Sequence, residues 1–299
     1  MCCRAFHCRS ANCFDENPRH HRRRRRLPHA CRPGAKAAGM RVVAVGLSGS
    51  VWPELESEVD VFRTVGLTRL GSWVRELRRH GVDETIMVGR VRKGQLYSRW
   101  SWVKYIPDLR TLRLFITRIR RDKRDQTLLL SLCDALASEG FPLSDSTKYC
   151  ADQLATPGVM TRRQPSTAQL EDARFGYELC TAISKLQIGQ AIAIADRNVI
   201  AVEAIEGTDS MIQRAGVLCK RGGWTLIKVA NTHADMRIDV PTVGVQTIEK
   251  LKAAGGVCLM LTPGKVIMLD KQQVIDTADK LGIVIVGYES ATADGAVQP

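Results

Sequence analysis

Apolar and polar positions follow regular periods only after residue 40. Arg41–Gly46, Val59–Val65 and Glu84–Gly89 are short runs rich in apolar and β-branched residues that predict strands. Between the second and third runs, Thr68–His80 places its apolar side chains on one stripe, which predicts an amphipathic helix. Strand, helix and strand at this spacing predict a doubly wound parallel sheet.

The second half of the chain repeats this alternation with more strands. The periodicity fades near Tyr149, so we predict a domain of residues 40–149, a mixed α/β domain of residues 150–288, and a disordered tail of residues 289–299. The strands predicted in the second domain are 191–195, 199–205, 224–230, 257–261, 266–269 and 283–286, and its helices are 167–185, 247–254 and the segments that follow residues 208 and 270.

A basic amphipathic helix is predicted from Asp108 to about Arg121. Leu112 and Phe115 are among its apolar positions, and arginines occupy several of the positions between them. The pattern fits a helix that packs on the core and leaves a solvated basic back. It also fits a helix that lies on an anionic lipid surface.

Residues 1–39 follow neither period. They contain the unbroken run Arg22–Arg26 and hold ten of the 44 Lys and Arg, but only two of the 31 Asp and Glu. We expect this segment to be disordered or an aberrant N-terminus. A nucleic-acid arm and a metal knuckle are the alternatives, although the His and Cys spacing matches no standard zinc pattern.

The location of the charge changes the meaning of its net value of +13. Residues 1–39 supply +8 of it and the rest of the chain supplies +5. A mildly basic body suits an anionic small substrate or an anionic membrane surface, and we predict no nucleic-acid partner. Scattered cysteines in apolar contexts predict a reducing, cytoplasmic compartment. Because no run of ~20 apolar residues is present, membrane contact is expected only as peripheral contact with an inner membrane.

Common nucleotide and metalloprotease motifs are absent from the sequence, which has no Walker loop, no dinucleotide glycine motif and no His-Glu-x-x-His. Charged residues instead gather near predicted strand ends of the second domain: Glu203, Glu206, Asp209, Asp235, Asp239, Arg162, Arg163, Lys228 and Arg237. This mixture fits Mg²⁺-assisted phosphoryl chemistry, in which cations spread negative charge and a carboxylate orients water. It also fits a sugar-nucleotide binding module without chemistry.

Two stretches carry most of these residues. Glu206–Asp209 joins a predicted strand to a helix N-terminus, where amide groups and the helix dipole favour phosphate, and its acidic pair points to an intervening metal. The other stretch, Lys228–Gly244, packs three charged residues into five positions around Arg237. On spacing alone this second stretch is either a site or a surface ion-pair loop.

Several motifs stand together in the order and spacing of one family. They are Thr161-Arg162-Arg163, Ile188-Gly189-Gln190, Val202 to Asp209, Lys228-Val229-Ala230, Asp235 to Gly244 and Leu269-Asp270. In this series the chain resembles the LpxI-type UDP-2,3-diacylglucosamine pyrophosphatases over about residues 40–287. The resemblance implies Mg²⁺-dependent hydrolysis of UDP-2,3-diacylglucosamine to 2,3-diacylglucosamine 1-phosphate (lipid X) and UMP in lipid A biosynthesis, with water attacking the phosphorus on the uridine side.

The resemblance also implies a Rossmann-like N-terminal domain, a C-terminal α/β domain and a homodimer, and it assigns the family's catalytic aspartate to Asp239. We predict further substrate contacts at Arg162, Arg163, Gln190, Thr208, Lys228, Arg237 and Thr242, and metal ligands at Glu206 and Asp209. A non-catalytic sugar-nucleotide or nucleic-acid binding protein is the alternative to an enzyme.

One departure concerns the start of the first domain. The family begins with a strand and a Gly-rich turn that lead into a helix, and here Ala35–Gly39 resembles only the end of that helix. We therefore expect the sheet to lack its first strand, and the arginine- and cysteine-rich replacement resembles the product of a misread 5′ end. On this expectation the protein is unstable or poorly active.

Overall fold

The computed structural model describes residues 2–8, 34–35, 38–48, 53–89, 106–120, 125–230, 235–238 and 240–289. The chain is mixed α/β and divides into two compact units. The first unit comprises Met1–Cys150 with Met236–Ile238, and the second comprises Ala151–Asp235 with Asp239–Pro299. Among the described residues, no helix has both the length and the apolar character that crossing a bilayer requires.

The first unit contains a four-stranded parallel sheet with the order β3-β2-β1-β4. Its strands are β1 (Cys2–Cys8), β2 (Arg41–Leu47), β3 (Val61–Val65) and β4 (Glu84–Gly89). The expected absence of a first strand is corrected at residues 2–8, because β1 pairs with both β2 and β4. Strand pairing uses backbone groups, so a run without an apolar period can still complete the ladder.

Helices accompany this sheet, and one of them matches the amphipathic helix predicted over Thr68–His80. They are α1 (Pro53–Glu56), α2 (Leu70–Arg79), α3 (Leu109–Leu114) and α4 (Asp125–Ser138). α2 buries Trp73 and Leu77 in the core, and α4 adds Leu136. The Trp73 indole N–H donates to the Gly66 carbonyl (2.8 Å), so this large side chain is buried without an unpaired donor.

The start of α3 is bonded to the start of α2. The Asp108 carboxylate accepts hydrogen bonds from the amides of Thr111 (2.9 Å) and Gly71 (2.7 Å). The Thr111 hydroxyl oxygen accepts a further bond from the amide of Leu70 (3.1 Å). These bonds satisfy amides that begin both helices and fix which side of α3 faces the unit.

α3 continues into a π-helical turn, Phe115–Ile119, in which Phe115 and Ile116 are 42% and 54% exposed. No residue of α3 is buried, and Leu114 is the α3 side chain that packs partly against the core. The core-facing interpretation of this helix is therefore wrong. The side that meets α2 is formed by Thr111, so the apolar stripe points elsewhere.

The second unit contains a six-stranded mixed sheet with the order β5-β12-β10-β8-β6-β7. Its strands are β5 (Gly158–Val159), β6 (Ala191–Ala195), β7 (Asn198–Val202), β8 (Trp224–Lys228), β10 (Gly256–Leu261) and β12 (Val284–Gly287). β8, β10 and β12 run parallel, and β6 runs antiparallel to both β8 and β7. β9 (Thr242–Val243) and β11 (Ile267–Met268) form a separate parallel pair.

Helices flank this sheet and complete its core. They are α5 (Thr167–Lys185), α6 (Thr208–Leu218), α7 (Val245–Ala253) and α8 (Lys271–Leu281). α5 begins where the sequence predicted, because Ser166 and Gln169 form a reciprocal capping box. Gly176 lets α5 approach the sheet closely, since a Cβ there would lie 2.0 Å from Ile227 Cδ1.

Several predicted boundaries need correction. The strand predicted over residues 199–205 ends at Val202, although the Glu203 amide still donates to the Ala191 carbonyl of β6 (2.8 Å). Met236–Ile238, in the charged stretch Lys228–Gly244, forms a turn. Asp270 precedes α8 in a left-handed conformation (φ 59°) and makes no side-chain capping bond.

Candidate active site

One edge of the second unit's sheet collects several of the polar residues. The parallel strands β8, β10 and β12 end at this edge, and Lys228 is the last residue of β8. Because β6 is antiparallel to β8, its first residue, Ala191, pairs with Lys228, and Gln190 directly precedes it. The carboxyl ends of parallel strands form the ligand-facing edge of open α/β sheets.

Lys228, Thr208 and Glu203 form a hydrogen-bonded chain at this edge. The Lys228 ammonium donates to Thr208 Oγ1 (2.8 Å), and the Thr208 hydroxyl donates to Glu203 Oε1 (2.8 Å). Lys228 and Glu203 are each only 8% exposed. Buried charges are retained when they are paired and hydrogen-bonded, so Thr208 links the ammonium to the carboxylate that compensates it.

The backbone holds Glu203 in this position. Its amide donates to the Ala191 carbonyl (2.8 Å), and its Oε2 accepts from the Gln190 amide (3.4 Å). Gly189 packs on it so closely that a Cβ at residue 189 would lie 1.9 Å from the Glu203 carbonyl oxygen. Glycine is therefore required at 189, which gives the Ile188-Gly189-Gln190 motif a structural reason.

The N-terminus of α6 opens at the same edge. Gly207 adopts φ 82°, a left-handed value that favours glycine, and it forms the N-cap without a side-chain bond. Thr208 directly follows this N-cap, and its hydroxyl donates to Glu203 instead of to a group of the helix. The first-turn amides of a helix have no intrahelical acceptor, and the dipole is positive there, so this corner suits a phosphate oxygen.

Glu206, a predicted metal ligand, is held in an ion pair. Arg214 donates to Glu206 Oε1 (2.5 Å) and to the Val202 carbonyl (2.7 Å). Glu206's own amide N–H, followed by Arg214, holds the pKa of its carboxyl below the ordinary 4.5. The ionised Glu206 therefore clamps the loop that carries Glu203.

The second predicted metal ligand, Asp209, is likewise paired, with Lys250 of α7. Its side chain is 54% exposed. Within the described part of the chain, no three His, Cys, Asp or Glu side chains assemble as a metal-binding group. The described residues thus do not fit the predicted Mg²⁺ site, since Arg214 and Lys250 each already pair with one oxygen of these two carboxylates, and the Mg²⁺ requirement stays a prediction.

The predicted arginines lie at the opposite edge of the same sheet. The Arg162 amide donates to Asp279 Oδ1 (2.8 Å), near the end of α8, and Arg163 lies beside Gly282. α8 and Gly282 lead into the amino end of β12, whereas Lys228 stands at a carboxyl end. Thr242, another predicted contact, begins β9 of the separate two-stranded sheet.

Asp239, the predicted catalytic residue, lies outside the described residues. Arg237 belongs with Met236 to the first unit, where the Met236 carbonyl accepts from the amide (3.2 Å) and hydroxyl (2.8 Å) of Ser146. The roles of Asp239 and Arg237 stay predictions.

Glu203 has no specific role on sequence grounds. The pattern presents it as one carboxylate among several near strand ends and predicts the nearby Glu206 as a metal ligand. The signal that distinguishes them is positional, because Glu203 directly follows β7 while Glu206 lies in the loop beyond. The residue that follows a strand at a ligand-facing edge is the more suitable site candidate.

These residues can bind a phosphate-containing ligand. Lys228 offers a buried ammonium, and the first turn of α6 offers its amide donors. Electrostatic attraction is stronger in a water-poor setting than in bulk water, so a buried ammonium binds an anionic oxygen more strongly than a surface lysine does. The site favours a ligand with negatively charged oxygens.

Two family models match the chain in series. The model for the LpxI N-terminal domain matches residues 26–153, and that for the LpxI C-terminal domain matches residues 156–286. This chain belongs to the LpxI family, as the motifs predicted. It is similar to the UDP-2,3-diacylglucosamine pyrophosphatase LpxI of Caulobacter vibrioides, with 27% identity over 271 residues that cover 88% of this chain and 94% of that protein.

Proposed function

We propose that the protein hydrolyses the pyrophosphate bond of UDP-2,3-diacylglucosamine to lipid X and UMP, as a step of lipid A biosynthesis. The observation that carries the proposal is the buried Lys228–Thr208–Glu203 chain at the ligand-facing edge, in a chain that matches both LpxI domains. The relative's name specifies a pyrophosphatase of this substrate, which favours hydrolysis over simple binding.

Lys228 binds and stabilises the negatively charged pyrophosphate in this proposal. Thr208 and Glu203 hold its ammonium in place before substrate arrives, so no reorganisation is needed when charge develops in the transition state. Amides of the first turn of α6 bind a further phosphate oxygen. The Gln190 amide donates to Glu203 Oε2, so Gln190 lies at the same edge of the sheet.

The bond changes follow those of any pyrophosphate hydrolysis. The oxygen of water bonds to the phosphorus on the uridine side, and the bond from that phosphorus to the bridging oxygen breaks. The bridging oxygen leaves with the sugar phosphate, and the proton of the attacking water is released. We assign Asp239 to orienting this water, and Arg237 and Thr242 to substrate contacts, as the family resemblance and the charge pattern suggest.

A direct test measures UMP release from UDP-2,3-diacylglucosamine dispersed in detergent. We expect UMP as a product and, in ¹⁸O-labelled water, label in UMP and not in the sugar phosphate. Lys228→Met should lower kcat about 100-fold, the typical cost of one transition-state donor. Asp239→Ala should lower it by about 10²–10⁴-fold, the contribution of a positioned base.

Two surface substitutions in the same unit are the matched controls. Lys252→Met removes an exposed lysine of α7, and Asp276→Asn removes an exposed carboxylate of α8. Both should leave kcat unchanged. A well-folded preparation that releases no UMP, or a Lys228→Met variant that is as active as these controls, contradicts the proposal.

The Mg²⁺ requirement, the homodimer and the Rossmann-like character of the first unit are separate parts of the proposal. Loss of UMP release in EDTA and its recovery with Mg²⁺ support the metal, and undiminished turnover in EDTA counts against it. Light scattering at the mass of two chains supports the dimer. A negative result in the Mg²⁺ test or in the dimer test does not contradict the proposed hydrolysis.

A further inference from the structure

The segment Leu109–Arg120 presents apolar side chains to solvent. Leu109 is 85% exposed and Ile116 54%, and they lie seven residues apart, which places them on one side of a helix. Leu112 and Phe115 extend the same stripe with exposures of 41% and 42%. A monomeric soluble protein seldom exposes four large apolar side chains in one contiguous patch, so this stripe suits a binding surface.

The orientation of this segment is fixed by the rest of the first unit. Thr111 bonds to Asp108 and to the amide of Leu70, and Leu114 packs partly on the core. These two residues occupy the inner side, so the apolar stripe is held pointing away from the unit. The stripe is thus a fixed feature of the fold, because its helix is anchored through the cap at its start.

Charge around the stripe is cationic. Residues 109–120 contain four arginines and no acidic residue. Arg110 pairs with Glu139 (2.5 Å) and Arg118 with Asp134 (2.5 Å). Arg113 and Arg120 are exposed and form no ion pair with any residue that the structure describes.

A basic depression of about 710 Å³ adjoins this segment through Arg110. It is lined by Gly71, Val74, Arg75, Arg78, Arg79 and Arg110. Glu139 pairs with Arg78 (3.2 Å) as well as with Arg110, whereas Arg75 and Arg79 have no acidic partner among the described residues. The depression therefore keeps an excess of positive charge beside the apolar stripe.

We propose that Leu109–Arg120 and the adjoining basic depression form a docking surface for an anionic phospholipid bilayer. Insertion of the apolar stripe at the level of the headgroups and contact of the arginines with lipid phosphates satisfy both features at once. A second copy of the chain fits less well, because a two-fold contact through this face would bring like-charged arginines together. The proposal goes beyond the hydrolytic function and does not depend on it.

Vesicle sedimentation of the full chain tests this surface without substrate. We expect the protein to sediment with vesicles of phosphatidylcholine that contain about 30% phosphatidylglycerol, and much less with phosphatidylcholine alone. Arg113→Ala/Arg120→Ala should weaken partition into the anionic vesicles about 30-fold, since each basic residue near such a surface contributes about fivefold. High salt should abolish most of this difference.

Leu109→Ser/Ile116→Ser removes the two most exposed residues of the stripe and should weaken partition at least about tenfold, with a loss that salt changes little. Val217→Ser/Leu218→Ser is the matched control, because these side chains are 71% and 61% exposed at the end of α6 in the second unit. The control should bind as the wild type does. Thermal melting of each variant establishes that it is folded, which is expected because the changed side chains are exposed.

Three results overturn the proposal. The wild type fails to sediment with anionic vesicles, or both α3 variants bind as tightly as the control, or the control loses binding to the same extent as they do. A fourth result assigns the surface to self-association instead: the wild type is dimeric by light scattering, Leu109→Ser/Ile116→Ser is monomeric, and neither binds vesicles.

Discussion

Removing one charge from the buried Lys228–Glu203 pair tests whether the candidate site is electrostatically coupled as its geometry implies. The two bonds through Thr208 allow at most twice 2.8 Å, about 5.6 Å, between Lys228 Nζ and Glu203 Oε1. At an effective dielectric constant of about 20, two unit charges at that distance attract each other by about 3 kcal/mol. Glu203→Gln keeps an oxygen that accepts from Thr208 but removes the charge. Lys228→Met keeps the stem of the side chain without the ammonium.

Each single substitution leaves the other charge buried without its compensating partner, so each should lower the free energy of unfolding by about 3–5 kcal/mol. The double variant should lose far less than the two losses added, with a coupling free energy of about 3 kcal/mol. Urea unfolding of the four proteins in this cycle measures that coupling.

The exposed pair Asp209–Lys250 provides a matched cycle in the same unit. Its side chains are 54% and 36% exposed, and its coupling should be about 0.2–1 kcal/mol and fall with added salt. A coupling between Glu203 and Lys228 as small as that of this surface pair would refute the argument that the site holds a buried, mutually compensated charge pair.

Three further predictions follow from single features of the second unit. Gly189→Ala should lower the free energy of unfolding by about 1–3 kcal/mol and lower activity, because its Cβ would lie 1.9 Å from the Glu203 carbonyl oxygen. Gly244→Ala is the control and should change the free energy of unfolding by less than about 1 kcal/mol, since its Cβ would lie 3.8 Å from Leu269. Equal melting temperatures for the two variants would contradict this reasoning. Arg214 and the Glu206 backbone lower the pKa of Glu206 below 4.5, so the stability that its ionisation provides is present above that pH and is lost as pH falls through the lower folded-state value. Glu206→Gln should therefore lose less stability than the wild type between neutral pH and about pH 3, as measured by urea unfolding, and parallel losses would exclude this role. Burial raises the pKa of Cys180 to about 12, so iodoacetamide at mildly alkaline pH should leave Cys180 unmodified in the folded protein and modify it in urea, as read by peptide mass mapping; rapid modification in the folded protein would contradict its burial.

The sequence predicts elements well where their signals are local. The capping box of Ser166 and Gln169 fixes the start of α5, and short apolar runs locate β2 and β4. The end of β7 is missed because the apolar run continues to Ile205, whereas the chain turns at residues 205–206, where Glu206 pairs with the more distant Arg214. A boundary set by such a non-local bond leaves no mark in the apolar pattern near it.

The orientation of α3 shows a second limit of pattern-based prediction. An amphipathic stripe has the same spacing whether its apolar side meets a core or a bilayer. What decides is the cap, because Asp108 and Thr111 bond to the start of α2, 37 to 41 residues earlier. The sequence therefore predicts the helix but does not determine which of its sides is exposed.

The apolar pattern does not predict the candidate site either, because its residues come together only through pairing between strands. Lys228 and Glu203 meet because Ala191 pairs with Lys228 in one ladder and its carbonyl accepts from Glu203 beside it. Motif order placed Arg162 and Arg163 in the same series as Lys228, yet the fold separates them to opposite edges of the sheet.

The motif residues of the family therefore differ in their physical roles. Gly189, Glu203, Thr208 and Lys228 are fixed by ladders, a close backbone approach and buried bonds, so they can hold a phosphate in one geometry without the cost of ordering a loop. Glu206 serves the same end indirectly, since its ion pair with Arg214 secures the loop that presents Glu203. A substitution at Glu206 should therefore act through stability and be rescued at lower temperature, whereas one at Lys228 should remain inactive in a fully folded protein.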